Sequence, residues 1–295
     1  MKKLLLCVAG ISIQILAQDM QVKMVTDSYM DIPIPVIGKV KVSIKKTTYL
    51  AKNMRKTVDS FSGDNFFSNW IIGMVSSTTG EVVDITSTQA WEYNEDDREY
   101  WIIPFINEGH ENGPEAEGDE GQDNRSISYS FSFSDKDDTN DGDELTNIKR
   151  VGSEEIKNIH GFRVREWATT VSRGNDQIVI DEWAVRALPV LRLADSLNRE
   201  IELARGTPDS VIDLFRFGSG FSNNEILLGI PSLDSLMDIS DIDSIDGEVI
   251  KGNVSFFKDD ELEAGFGSEI IEIYAETFDP LFYTIPEGYN HIENE

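Results

Sequence analysis

The sequence predicts an α+β protein in which a curved antiparallel β-sheet covers a small number of α-helices. Three observations carry this. Long stretches alternate apolar and polar side chains with period two, as strands with one buried face do. The links between them are short and polar, which pairs neighbours antiparallel. Between Val190 and Phe215 the apolar spacing changes to that of helices. Alternating strand–helix–strand units are absent, which argues against a parallel sheet.

The chain opens with Lys2 and Lys3, then an uncharged apolar run from Leu4 to Ala17. That run is too short to span a bilayer as a helix, and Ala17 is a small residue at a suitable cleavage point. Residues 1–17 therefore read as a secretory signal, and the mature chain as periplasmic or secreted. Cys7 lies inside the run, well before its end, so it is not placed to carry a lipid. After cleavage no thiol remains, which excludes disulfides, thiolate nucleophiles and cysteine metal sites.

Residues 18–295 read as a single domain, long enough to be stable through its core. Val40, Val42 and Ile44 alternate with Lys39, Lys41, Ser43 and Lys45, and Thr47 to Leu50 continues the strand. Asn53 marks a turn. Glu81 to Thr88, Gln89 to Tyr93 and Tyr100 to Ile103 read as further strands, with a polar turn at Asn94 to Asp97. Glu108 to Glu144 holds thirteen acidic residues against Arg125 and Lys136. Its first half lacks the apolar surface to offset ordering entropy and reads as a mobile loop. Ile127, Tyr129, Phe131 and Phe133 form a strand within it, so residues 107–147 read as an acidic insertion decorating a hairpin.

Strands resume after Lys149, through Phe162 to Trp167 and Ile178 to Val185. Val190, Ala194, Leu197, Ile201 and Ala204 then step by four, three, four and three, marking one face of a helix that stops at Gly206. A second helix starts with Thr207 as N-cap, Pro208 in first position and Asp209 in the first turn. Gly218 and Gly220 end it. Gly247 to Phe257 and Ser268 to Ala275 return to strands.

The formal net charge is −28 and becomes −30 when Lys2 and Lys3 are lost. This opposes binding to nucleic-acid phosphates and to anionic headgroups. It favours solubility. No later apolar run is long enough for a stable membrane span.

Several segments together resemble a family of exported bacterial proteins, DUF4412, which is similar to the lipoprotein carriers LolA and LolB. They are Thr47 to Arg55; Val82-Val83-Asp84 through Trp91-Glu92-Tyr93 to Arg98-Glu99-Tyr100; Ile159 to Val164; Asp181 to Val185 followed by Leu188-Pro189; and Phe278 to Phe282 with Ile285 to Tyr289. The acidic insertion and the stretch Ser219 to Asp246 depart from the pattern. The resemblance implies a half-open barrel, LolA/LolB-like, whose concave face is lined with apolar side chains and partly closed by helices; in the carriers that concavity takes up lipid acyl chains, which makes lipid or lipoprotein acyl chains the partners it suggests.

No catalytic constellation is legible. His110 falls in the acidic loop, His291 near the end, and His160 before Gly161 in a turn. A Gly-x-Ser-x-Gly elbow, a His-Glu-x-x-His motif and a phosphate loop are all missing; Asn253 stands where the last would need lysine. The chain is therefore expected not to be an enzyme. Asp135, Asp137, Asp141 and Asp143 place oxygens at alternate positions around Gly142, as a calcium loop would. Counted from Asp137, however, position twelve is Ile148 rather than glutamate, and Asp-Gly is also a common hairpin turn. Calcium is the one cofactor this pattern admits. Phe66, Phe67 and Trp70 cluster between Gly63 and Gly73, and with Trp183 and Phe215 they are candidates to line a hydrophobic ligand site. Filling a core is their commoner role.

The expectation is an exported protein that binds a hydrophobic or lipidated ligand in the concave face. The alternative is a non-enzymatic structural or interaction protein of the envelope, with acidic, calcium-holding loops.

Overall fold

The computed structural model describes residues 20–34, 38–63, 78–105, 147–173, 175–214, 216–222 and 243–293. Its strands are β1 (Met20–Ile34), β2 (Gly38–Ala51), β3 (Met54–Gly63), β4 (Thr78–Asp84), β5 (Gln89–Asn94), β6 (Glu99–Ile103), β7 (Asn147–Ile159), β8 (Phe162–Arg173), β9 (Asp176–Val185), β10 (Glu248–Lys258), β11 (Glu261–Thr277) and β12 (Asn290–His291). The helices are α1 (Pro189–Arg205) and the single-turn α2 (Asp209–Leu214). Residues 1–17 and most of the acidic insertion lie outside the described residues.

The strands form one 12-stranded sheet in the order β12-β6-β5-β4-β3-β2-β1-β11-β10-β9-β8-β7. It is two meanders, β1–β6 and β7–β11, joined along β1 and β11. Every pairing is antiparallel except β12 beside β6. The turns supply the left-handed backbone that tight hairpins need. Asn53 (φ 70°) turns β2 into β3, His160 and Gly161 (φ 49° and 87°) turn β7 into β8, and Asp259 and Asp260 (φ 50° and 66°) turn β10 into β11.

The antiparallel sheet and the period change are as the sequence predicts, but the half-open barrel is not formed. The sheet is open and not strongly curled, with β12 and β7 at opposite ends and one main helix. The reason lies in side chains that need cover on both faces. Val82 and Val83 are neighbours in β4, point to opposite faces, and are both fully buried. Both faces here therefore carry cover, α1 over Val83 and the C-terminal segment over Val82.

Helix α1 covers the first face, across β1, β2, β3 and β11. Pro189 opens it. Gly206 closes it in the left-handed conformation (φ 89°), its N–H reaching the Leu203 carbonyl at 3.1 Å while the Thr207 N–H reaches that of Glu202 at 3.0 Å. Leu191, Ala194 and Ile201 are buried against Val22, Met24, Leu50, Val83, Ile250 and Ile273. The stripe differs at its ends from the one read in sequence: Leu191 joins it and Ala204 is exposed. A stripe stepping by four and three drifts round a 3.6-residue helix, so its last member leaves the contact.

The C-terminal segment covers the opposite face of β1–β5. A 3₁₀ turn, Pro280–Tyr283, places the Tyr283 ring among Ala51, Val82 and Tyr93. The Tyr283 hydroxyl donates to Gln21 Oε1 at 3.1 Å, and the Gln21 amide donates to Glu276 at 2.7 Å. Tyr289 meets Tyr93 edge-on at 5.8 Å.

Candidate functional site

The first face is not covered uniformly. Between β2–β6 and the C-terminal end of α1 lies a cavity of about 800 Å³. The strand register builds its floor. One row runs Thr48, Thr57, Glu81, Glu92 and Trp101 across five strands. The next runs Lys46, Asp59, Thr79 and Asn94. Phe61, Val211, Ile212 and Phe217 add apolar surface to the walls.

An ion network fixes the helix over this floor. Arg55 on β3 donates to Glu81 at 2.9 Å, to Asn198 at 2.7 Å, and also to Glu202 on α1. Arg205 reaches the same Glu81 oxygen at 2.9 Å, and the Thr207 hydroxyl donates to Glu202 at 2.7 Å. Burial works against the charge on Arg55, but Glu81 and Glu202 outweigh it and hold its pKa up. Burial likewise opposes the charge on Glu202; Arg55, Thr207 and Arg205 overcome it and hold the carboxyl below its usual value.

Two other carboxylates on the floor behave differently. Burial pushes Asp59 up, and Lys46, at 3.7 Å, offsets only part of this. Asp59 Oδ1 is buried without a hydrogen-bond partner. Burial also pushes Glu92 up, opposed by the Trp101 indole N–H, which donates to it at 3.0 Å.

A second cavity of about 390 Å³ adjoins the first. Lys46 and Phe217 line both. Met24, Ile44, Phe221 and Ile270 supply its apolar surface, with Thr26, Ser28, Gly252 and Ser268 between them; Arg216 and Lys251 line it as well as Lys46, and among the described residues no carboxylate does. Its wall is the loop 216–222, held from beneath. Ser222 N–H donates to Glu182 at 3.1 Å, and Val249 N–H donates to the Gly218 carbonyl at 2.9 Å. Glu182 is completely buried, and burial raises its pKa against the hydrogen bonds from Ser222. Gly220 (φ 79°) passes so close to the Glu182 carboxyl that a Cβ there would overlap it.

Of the hydrophobic-site candidates, Phe66, Phe67, Trp70 and Phe215 lie outside the described residues. Trp183 is partly buried on β9 with the Lys251 ammonium 5.3 Å from its ring centroid, and it is not among the residues lining the two cavities. It alternates along β9 with the fully buried Glu182, so it points away from the face that carries them. The calcium candidates Asp135, Asp137, Asp141 and Asp143 also lie outside the described residues. Among the described residues no group of three or more His, Cys, Asp or Glu side chains is arranged to hold a metal ion. Among them, too, no helix is long and apolar enough to cross a membrane. His160 occupies its turn and approaches Glu269 at 3.6 Å.

Sequence reasoning missed Lys46, Asp59, Glu81, Glu92 and Trp101 as neighbours. Each reads alone as an ordinary strand residue. Register alignment of consecutive hairpins could have found the rows; nothing local links Arg55 to Glu202, 147 residues later.

No protein-family model matches the chain, nor does any curated protein. The solved structure of PNGF-II in space group C2 resembles it at a TM-score of 0.26 and 9% identity, over 94% of this chain and 31% of that one. The chain thus spans about a third of the length of that protein.

Proposed function

We propose that this chain is an exported, non-catalytic binding protein that holds an amphiphile, with the apolar chain in the narrower cavity and the polar part in the wider one. The observation that carries the reading is the junction at Phe217 and Lys46. An apolar trough opens there into a chamber floored by charged and aromatic side chains. A ligand spanning both would gain burial at about 25 cal/mol per Å² of apolar surface, and its head would meet polar groups already in place. Supporting it further are the signal-like start and the resemblance of the hairpin and C-terminal motifs to DUF4412, a family similar in turn to the lipoprotein carriers. Lipids or lipoprotein acyl chains supply this chemistry.

The test is purification of the protein from its native host, organic extraction and mass spectrometry, alongside titration with single-chain amphiphiles. Co-purifying lipid, and saturable binding weakened about tenfold or more by Ile44→Glu, are expected, because that change puts a charge in the trough. Absence of lipid together with no saturable binding would reject the reading.

A further inference from the structure

The charge balance of the wider cavity selects among amphiphiles, a selection that rests on the amphiphile reading of the two cavities. Glu81 and Glu202 are engaged by Arg55 and Arg205. Asp59 faces Lys46. Glu92 is left over: it lines the cavity, is half-buried, accepts the Trp101 N–H, and forms no ion pair among the described residues. Trp101, its cross-strand partner, lines the same cavity.

We infer that the ligand's head carries a positive charge, an amine or quaternary ammonium, received against the Glu92 carboxylate on its cavity side, beside the Trp101 indole. A carboxylate taken partly out of water, eased only by the Trp101 N–H and by the charge of Arg205 beyond ion-pair distance, is held at a cost that an incoming cation relieves. An indole adds attraction for the same charge, strongest for a weakly hydrated ammonium. The Trp101 N–H fixes the carboxylate without neutralising it, so the charge stays available to the ligand. An anionic head would meet this unpaired carboxylate and the repulsion of a chain whose formal net charge is −28. Among the described residues the narrower cavity is lined by no acidic side chain, and its cations Lys46, Arg216 and Lys251 are each paired with a carboxylate, so it gives the ligand's cation no competing station.

The test uses the full chain and three probes of equal chain length, each below its micelle concentration: dodecyltrimethylammonium, dodecyl maltoside and dodecyl sulfate. Binding is read by calorimetry. The cationic probe is expected to bind about tenfold tighter than the neutral one, with the anionic probe weakest. Glu92→Gln keeps the shape and the Trp101 contact, and it should remove that advantage, bringing the ratio of cationic to neutral affinity to about one. Equal affinities for the cationic and neutral probes, or an advantage that survives Glu92→Gln, overturn the inference and leave the amphiphile reading standing. If none of the three binds, both fall. The comparison among probes on the unaltered chain decides the matter even if the variant folds poorly.

Discussion

Under α1 and α2, strands β2–β6 leave a cavity of about 800 Å³ over charged side chains, whereas on the same face, beyond the second cavity, β8–β11 fill the space with their own apolar residues. There Val171, Ile178, Ile180, Val254, Phe256 and Phe266 interlock, and Phe221 stands edge-on to Phe266 at 5.2 Å. Both halves are antiparallel meanders with tight hairpins. The difference is in what alternates inward: threonines and charges in one, branched and aromatic residues in the other. Closing a face thus takes volume as well as a strand pattern.

The sharpest way to break this comparison is to truncate one aromatic on each side. Phe266→Ala removes a buried ring from the filled half and should cost about 4 kcal/mol in urea unfolding. Phe61→Ala, at the cavity wall, should cost less than about 1 kcal/mol, because few atoms lose partners. Equal losses would mean that the cavity side is packed as tightly as the other.

The next effect belongs to the ion network. Arg55→Ala leaves Glu81 and Glu202 without their main counter-charge and should cost about 3 kcal/mol, measured as a shift in urea midpoint. Arg205 is the peripheral member of the network, so Arg205→Ala should cost less.

The smallest effect is one of sign. Glu182, under the filled half, has its pKa raised by burial, so its favourable contribution is complete below the ordinary carboxylate value and is lost as pH rises through the folded one. Glu202, over the cavity, resists burial through Arg55 and is lowered, so its contribution is present above the ordinary value and lost as pH falls. Over roughly pH 2 to pH 8, Glu182→Gln should therefore gain stability relative to the unaltered chain as pH rises above the ordinary carboxylate value, and Glu202→Gln should lose most of its deficit as pH falls below that value. Urea midpoints at the two ends of that range check both. Parallel trends would show that the two carboxyls share one environment.

Much of this fold was legible. Asn53, His160-Gly161 and Asn94 to Asp97 marked turns, and Val190 to Ala204 marked a helix stopped by Gly206, because these signals act within a few residues of one another. The candidate site was far less legible. Trp183 draws attention as a large aromatic but packs away from the cavities, whereas Glu92 and Trp101 look ordinary until β5 and β6 are set in register.

By itself the sequence determined the strands, their hairpins, the helix with its Gly206 stop, and a strongly negative charge. Those follow from backbone sterics and from the period of the side chains, which neighbours impose on each other. Only the tertiary structure decided that the sheet stays open, that Arg55 meets Glu202, and that one half of a face is full while the other is hollow. Those outcomes depend on volumes and charges brought together from distant parts of the chain, and no local pattern encodes such sums.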